Sequence, residues 1–102
     1  MRNRLPFDLP QTIQADLIEL CRQNDVKQLS LFGSMARGDE TPQSDIDLLV
    51  EFSTRKSLLA LVALERQFSL LFGREVDLLT EAAISPYLRN RIKQDARVLY
   101  AA

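Results

Sequence analysis

Residues 31–50 read LFGSMARGDETPQSDIDLLV, which indicates a strand, a turn containing glycines and a second strand. The first strand is predicted over residues 28–32 and is stopped by Gly33. The second is predicted over residues 45–52, because apolar side chains alternate there with Asp45, Asp47 and Glu51. The intervening residues 33–44 hold no full crossover helix, only one predicted helical turn over residues 35–37. The two strands are therefore expected to be antiparallel.

Helices and a third strand flank this segment. Apolar residues at helical spacing predict helices over residues 10–24 and 57–72, the second ended by Gly73. A third strand is predicted over residues 75–79, parallel to the second because a long helix connects them. Ser85 and Pro86 start a last predicted helix over residues 86–95, followed by a short extended tail over residues 97–100. The predicted fold is a single α/β domain over residues 1–102, a small mixed sheet with helices packed on it.

The composition limits the chemistry that the chain can carry. It contains no histidine and one cysteine, Cys21, which excludes a histidine-based catalytic triad, a thiolate zinc site and an internal disulfide. The 13 basic and 14 acidic residues give a net charge of −1, which argues against binding to nucleic acid or to an anionic membrane. We therefore expect a cytoplasmic protein whose chemistry comes from carboxylates, hydroxyls and basic side chains.

Acidic side chains are expected to converge at one end of the sheet. In an antiparallel pair, the exit of the first strand and the entry of the second lie together, so Ser34 should meet Asp45 and Asp47. Those two aspartates share a face, about 6–7 Å apart at the Cα level. Asp77 is the third residue of its predicted strand, as Asp47 is of its own, and falls beside Asp47 if the strands are parallel neighbours. Oxygen ligands of this kind suit Mg²⁺, which completes its shell with water and substrate phosphates.

This arrangement predicts chemistry at a phosphorus centre. Gly33, followed by the Ser34 hydroxyl, lets backbone N–H groups approach a phosphate closely. Three carboxylates can hold two metal ions, or one metal ion and a general base for an attacking hydroxyl. Both arrangements fit transfer from a nucleoside triphosphate with pyrophosphate leaving. Arg37 is a candidate nucleotide-binding residue, although an ion pair with a nearby carboxylate explains it equally well.

The run from Leu31 to Gly38, the Asp45-Ile46-Asp47 motif and the later Asp77 together carry a resemblance to a known family. They resemble the DNA polymerase β-like nucleotidyltransferase superfamily, and its minimal members in particular, from about residue 10 to the end of the chain. The resemblance implies the polymerase β-like nucleotidyltransferase fold and binding of ATP with one or two Mg²⁺ ions. It implies that Asp45 and Asp47 are metal ligands and that Asp77 is a third ligand or the catalytic base. Ser34 and the Gly33 backbone are then expected to hold the β- and γ-phosphates.

The resemblance also implies a partner protein. Minimal members of the superfamily often pair with a HEPN-domain ribonuclease, as a type VII antitoxin that transfers AMP to a tyrosine hydroxyl of the toxin. No second domain follows residue 102 to hold a small acceptor, which favours an acceptor supplied by the partner in a hetero-oligomer. One alternative is an antitoxin that neutralises its partner by binding alone, which the apolar outer side of the helix over residues 57–72 favours. Another is an aminoglycoside-like nucleotidyltransferase that acts on a small molecule.

Overall fold

The computed structural model describes residues 11–33 and 45–102, which form a four-stranded mixed sheet and three α-helices. In chain order the elements are α1 (Gln11–Gln23), β1 (Val26–Phe32), β2 (Ile46–Phe52), α2 (Leu58–Phe72), β3 (Val76–Thr80), a 3₁₀ turn (Glu81–Ala83), α3 (Pro86–Asp95) and β4 (Arg97–Ala101). The strand order is β3-β2-β1-β4. β2 is parallel to β3, whereas β1 is antiparallel to both β2 and β4. The predicted mixed sheet and both predicted strand directions are therefore confirmed.

The C-terminal tail is a full strand of this sheet. The tail predicted over residues 97–100 is β4, in which Tyr100 lies opposite Leu29 of β1. The N–H of Ala102 extends the pairing by donating to the carbonyl of Lys27 at 2.9 Å. β1 itself starts two residues earlier than predicted, directly after Asp25, whose φ of 57° turns the chain out of α1. The helical turn predicted over residues 35–37 lies outside the described residues.

Both ends of α2 are capped, and the C-terminal cap, Gly73, is the one that the sequence predicts. The Ser57 hydroxyl accepts a hydrogen bond from the N–H of Ala60 at 3.1 Å, which satisfies one of the free donors of the first turn. At the other end Gly73 adopts a left-handed conformation with φ 68°, and its N–H donates to the carbonyl of Ser69. The helix predicted over residues 57–72 is confirmed. None of the helices in the described ranges is long and apolar enough to cross a bilayer.

The hydrophobic core lies between α1, α2 and one face of the sheet. Its buried members are Leu17, Cys21, Val26, Leu29, Leu31, Ile46, Leu48, Val50, Leu64, Phe68, Val76 and Leu78. Burying an apolar side chain of this size stabilises the fold by about 1.5–3 kcal/mol, so this layer dominates the stability of the chain. Because side chains alternate along a strand, burial of Ile46 and Leu48 leaves Asp47 on the opposite face. The core therefore determines which sheet face carries the polar residues.

Cys21 is fully buried in this core, and desolvation raises the pKa of its thiol from 9.0 to about 12. Because the thiolate is the reactive form, we expect the folded chain to resist alkylation at pH 8 and to be labelled only in denaturant.

The burial of Cys21 also makes the stability depend on pH. Above pH 9 the unfolded chain loses the thiol proton while the folded chain keeps it, so the contribution of the buried thiol to stability is complete below pH 9 and declines toward pH 12. Denaturant unfolding of the native chain and of Cys21→Ala across this range measures the effect. The difference in free energy of unfolding between the two should shrink as the pH rises, and a constant difference contradicts the assignment.

Candidate active site

The pairing of β2 with β3 places two of the predicted aspartates side by side. In the parallel register Asp47 lies opposite Asp77, flanked by the pairs Ile46–Val76 and Leu48–Leu78. The flanking residues are buried in the core, so both aspartates belong to the other face of the sheet. Neighbouring strands lie about 4.8 Å apart, so the side chains of the two aspartates are close enough to bind one ligand together. The structure thus brings Asp77 beside Asp47, as the strand pattern predicts.

Asp45 lies at the entrance to β2, one residue before the strand begins, and is exposed. The N–H of Ile46 donates to the carbonyl of Glu75 at 2.9 Å, which ties this entrance to the start of β3. Asp45 and Asp47 are two residues apart on an extended backbone and therefore lie on the same side of it. The entrance to β2 therefore presents one exposed carboxylate and one half-buried carboxylate toward the end of the sheet.

Gly33, at the exit of β1, lies directly against Asp47. The preceding residue, Phe32, is the cross-strand partner of Asp47, and Gly33 has a φ of 74°. A Cβ atom added to Gly33 would overlap the carboxylate, with Asp47 Oδ2 nearest and Asp47 Cγ at 3.1 Å. Glycine is favoured here on two counts, since the backbone is left-handed and an added Cβ would force the Asp47 carboxylate to move. Gly33 and Asp47 therefore lie together at this end of the sheet, whereas the predicted meeting of Ser34 with Asp45 and Asp47 stays a prediction.

Two further predicted residues, Ser34 and Arg37, lie outside the described residues, so their positions and contacts stay predictions. The same holds for the phosphate contacts assigned to the turn. Gly33 is the last described residue before that turn, and its backbone already faces Asp47.

The donor set of the site fits a hard divalent cation. Asp45, Asp47 and Asp77 offer oxygen ligands alone, which is the ligand type that Mg²⁺ prefers. Within the described ranges 11–33 and 45–102, no three His, Cys, Asp or Glu side chains are grouped so that they could hold a metal ion, and Asp45, Asp47 and Asp77 therefore do not form a ready-made three-carboxylate centre. Mg²⁺ is commonly held by one or two carboxylates together with substrate phosphates and water. These residues therefore fit an ion that is bound jointly with a nucleotide.

A cleft lies farther along β2, and its lining includes Leu49, which shares the sheet face of Asp47. It has a volume of about 500 Å³ and is lined by β-strand residues that include Gln28, Ser30 and Leu49, with Lys93 of α3 at its rim. Lys93 pairs with Glu81 at 2.9 Å and holds the pKa of that carboxyl below its usual range by hydrogen bonding. Sequence reasoning missed this cleft. The sequence feature that could have indicated the cleft is Leu49, an apolar residue on the strand face that otherwise carries Asp45, Asp47 and Glu51.

Comparison with known proteins gives consistent matches. The family model described as nucleotidyltransferase domain matches residues 16–99. A Methanocaldococcus jannaschii relative, named as a candidate protein adenylyltransferase, is 44% identical over 84 residues, covering 82% of this chain and 90% of the relative. The protein adenylyltransferase MntA of Thermococcus cleftensis is 32% identical over 88 residues, covering 86% of this chain and 89% of the relative.

A solved structure shows the same architecture. A chain from a mutant of the MntA toxin–antitoxin complex superimposes with a TM-score of 0.72 at 25% identity. The superposition covers 93% of this chain and 75% of the other. The helices and strands around the aspartates therefore follow an arrangement that is also found in a toxin–antitoxin assembly.

Proposed function

Because the chain belongs to the nucleotidyltransferase domain family, we propose that it transfers AMP from ATP to a hydroxyl group of a partner protein. The observation that carries the proposal is the in-register pair Asp47–Asp77 next to Gly33, which joins the glycine turn and both strands in one site. The names of the two relatives support a protein as the acceptor. We assign the entire chain to this activity as one domain that acts in the cytoplasm.

Each site residue has a separate role in the proposed reaction. Asp45 and Asp47 are the ligands for one or two Mg²⁺ ions, with Asp77 as a further ligand or as the base. Bound Mg²⁺ supplies charge neutralisation of the triphosphate and makes pyrophosphate a better leaving group. Gly33 and Ser34 bind the β- and γ-phosphates through backbone N–H groups and a hydroxyl, and Arg37 contributes a guanidinium to the nucleotide. These contacts hold the triphosphate in a fixed orientation.

The transfer itself is a substitution at the α-phosphorus. The acceptor oxygen forms a bond to the α-phosphorus while the bond from that phosphorus to the bridging oxygen of the β-phosphate breaks. Asp77 takes the proton of the acceptor hydroxyl, and pyrophosphate leaves. The products are a phosphodiester-linked AMP on the acceptor and free pyrophosphate.

We propose that the acceptor is a tyrosine of a HEPN-type toxin, and that the chain acts as its type VII antitoxin within a hetero-oligomer. The fold shared with a chain of the MntA toxin–antitoxin complex supports a toxin as the partner. The cleft farther along this sheet face, whose lining includes Leu49, offers a surface for the acceptor segment.

Incubation of the chain with its co-expressed partner and ATP labelled at the α-phosphate tests this function. We expect label on a tyrosine of the partner when Mg²⁺ is present and none when it is chelated. ATP labelled at the γ-phosphate is the matched control and should leave the partner unlabelled, because pyrophosphate departs. Absence of α-phosphate label on the partner in Mg²⁺ contradicts protein adenylylation.

The second candidate function is neutralisation by binding alone. It is favoured by apolar side chains on the outer side of α2, where Leu58, Leu59 and Leu70 are 73%, 83% and 79% exposed. Exposed apolar side chains of this number on one helix mark a surface that a partner can cover. Occlusion of a toxin by this surface requires no chemistry at the aspartates, so variants of the aspartates separate the two functions.

A further inference from the structure

Two side chains of α2 hydrogen-bond to the outer edge of β3, on either side of Asp77. The Ser69 hydroxyl accepts from the N–H of Val76 at 3.1 Å. The Glu65 carboxylate accepts from the N–H of Leu78 at 2.8 Å. β3 is an edge strand with β2 on one side, so these two N–H groups point away from the sheet and toward α2.

The spacing of the two contacts matches the geometry of both elements. Glu65 and Ser69 are four residues apart, which is about 6 Å along an α-helix. Val76 and Leu78 are two residues apart, which is about 6.6 Å along a strand. Leu64 and Phe68, which directly precede Glu65 and Ser69, are buried in the core, so this part of α2 is held against the sheet. The two hydrogen bonds therefore run side by side from a fixed helix to a short segment of strand.

We propose that Glu65 and Ser69 are positioning residues that hold Asp77 level with Asp47, an inference that rests on the proposed role of Asp77 in AMP transfer. The backbone of Asp77 faces β2, while the residues before and after it are bound to α2. A shift of β3 along its axis breaks both bonds to α2, one of them a charge-assisted bond. The carboxylate of Asp77 is thus carried by a strand that is fixed from both edges.

Loss of these bonds should affect turnover more than nucleotide binding. For Glu65→Leu and Ser69→Ala we expect the kcat of AMP transfer to fall by about 10- to 100-fold, since a misplaced catalytic group costs rates of this order. The KM for ATP should stay within about twofold, because the triphosphate contacts assigned to Gly33, Asp45 and Asp47 are unchanged. Glu65→Gln keeps an oxygen acceptor for the N–H of Leu78 and should retain most of the activity.

A matched control comes from the same helix. The Ser57 hydroxyl accepts from a backbone N–H at 3.1 Å, as the Ser69 hydroxyl does, but caps α2 instead of contacting β3. Ser57→Ala should lower the thermal stability while leaving the kcat within about twofold of the native value. Equal losses of kcat in Ser57→Ala and Ser69→Ala overturn the proposal, as does a Glu65→Gln variant as slow as Glu65→Leu.

Amide hydrogen exchange gives a readout that needs no nucleotide. In Glu65→Leu the amide of Leu78 should exchange at least tenfold faster than in Ser57→Ala, because its acceptor is gone. Ser69→Ala, the milder change, should do the same for the amide of Val76 and serves if Glu65→Leu does not fold. Native exchange rates at both amides in these variants refute the positioning role even if AMP transfer is slowed. A native chain that transfers no AMP contradicts the proposed function instead, and the exchange data still report on the two hydrogen bonds.

Discussion

Replacing Asp45 and Asp47 together by asparagine is expected to lower AMP transfer by roughly 10³-fold or more, because the change removes both proposed charged ligands for Mg²⁺. Asparagine keeps the size of the side chain and removes its charge, so the packing of β2 against β3 should persist. Labelled AMP on the partner, followed over time at saturating Mg²⁺, measures the rate. A rate equal to that of the native chain rejects the assignment of these aspartates.

The same double variant separates catalysis from occlusion. Toxin neutralisation that vanishes together with AMP transfer supports the enzymatic function, whereas neutralisation that survives supports binding alone. Asp16→Asn is a suitable control, since Asp16 is an exposed aspartate of α1 on the other side of the molecule from the β2–β3 face. It should leave the transfer rate unchanged, and it serves as a control for transfer only, because Asp16 lines the same groove as Leu70 of the outer α2 surface.

Replacing Gly33 by alanine is expected to lower AMP transfer by roughly 100-fold, since a displaced catalytic carboxylate costs rates of this order. The added Cβ overlaps the Asp47 carboxylate and the backbone has a φ of 74°, so either Asp47 or the exit of β1 has to move. The left-handed conformation alone costs an alanine about 1 kcal/mol. Denaturant unfolding gives the stability loss, and the labelled-AMP assay gives the rate.

Gly73 provides the matched control for this prediction. Its φ of 68° imposes the same backbone strain, but an added Cβ has nothing within 4 Å. Gly73→Ala should therefore lose about 1 kcal/mol of stability and keep the native rate of AMP transfer. Because the strain is common to both variants, the excess loss in Gly33→Ala reports the overlap with Asp47. Equal rates in the two variants would exclude a close contact between the turn and this aspartate during catalysis.

Local periodicity was sufficient to predict the strands that carry the site. The alternation of Ile46, Asp47 and Leu48, repeated by Val76, Asp77 and Leu78, determines the buried face of β2 and β3 and excludes a one-residue slip between them. The C-terminal cap of α2 was equally visible, since Gly73 acts within one turn of the helix, whereas Ser57, predicted as part of the helix, is its N-cap. For these elements the short-range pattern and the packed structure agree.

Other features depend on contacts that no local pattern encodes. β4 is half exposed and its apolar residues do not alternate strictly, so only its pairing with β1 identifies it as a sheet strand. The bonds from Glu65 and Ser69 to β3 join a helix side chain to a backbone group that is distant in sequence, and polar residues on a helix are usually solvated. The roles of Ser34 and Arg37 still rest on the motif.

The hydrogen bonds from α2 to β3 also restrict the direction from which an acceptor can approach Asp77. An exposed strand edge normally offers its N–H groups to an incoming peptide, the docking mode known as β-augmentation. At Val76 and Leu78 those donors are already occupied by the helix, so a peptide cannot join the sheet beside Asp77. The tyrosine-bearing segment that we propose as the acceptor is therefore expected to approach over the face of the sheet, with its side chain first.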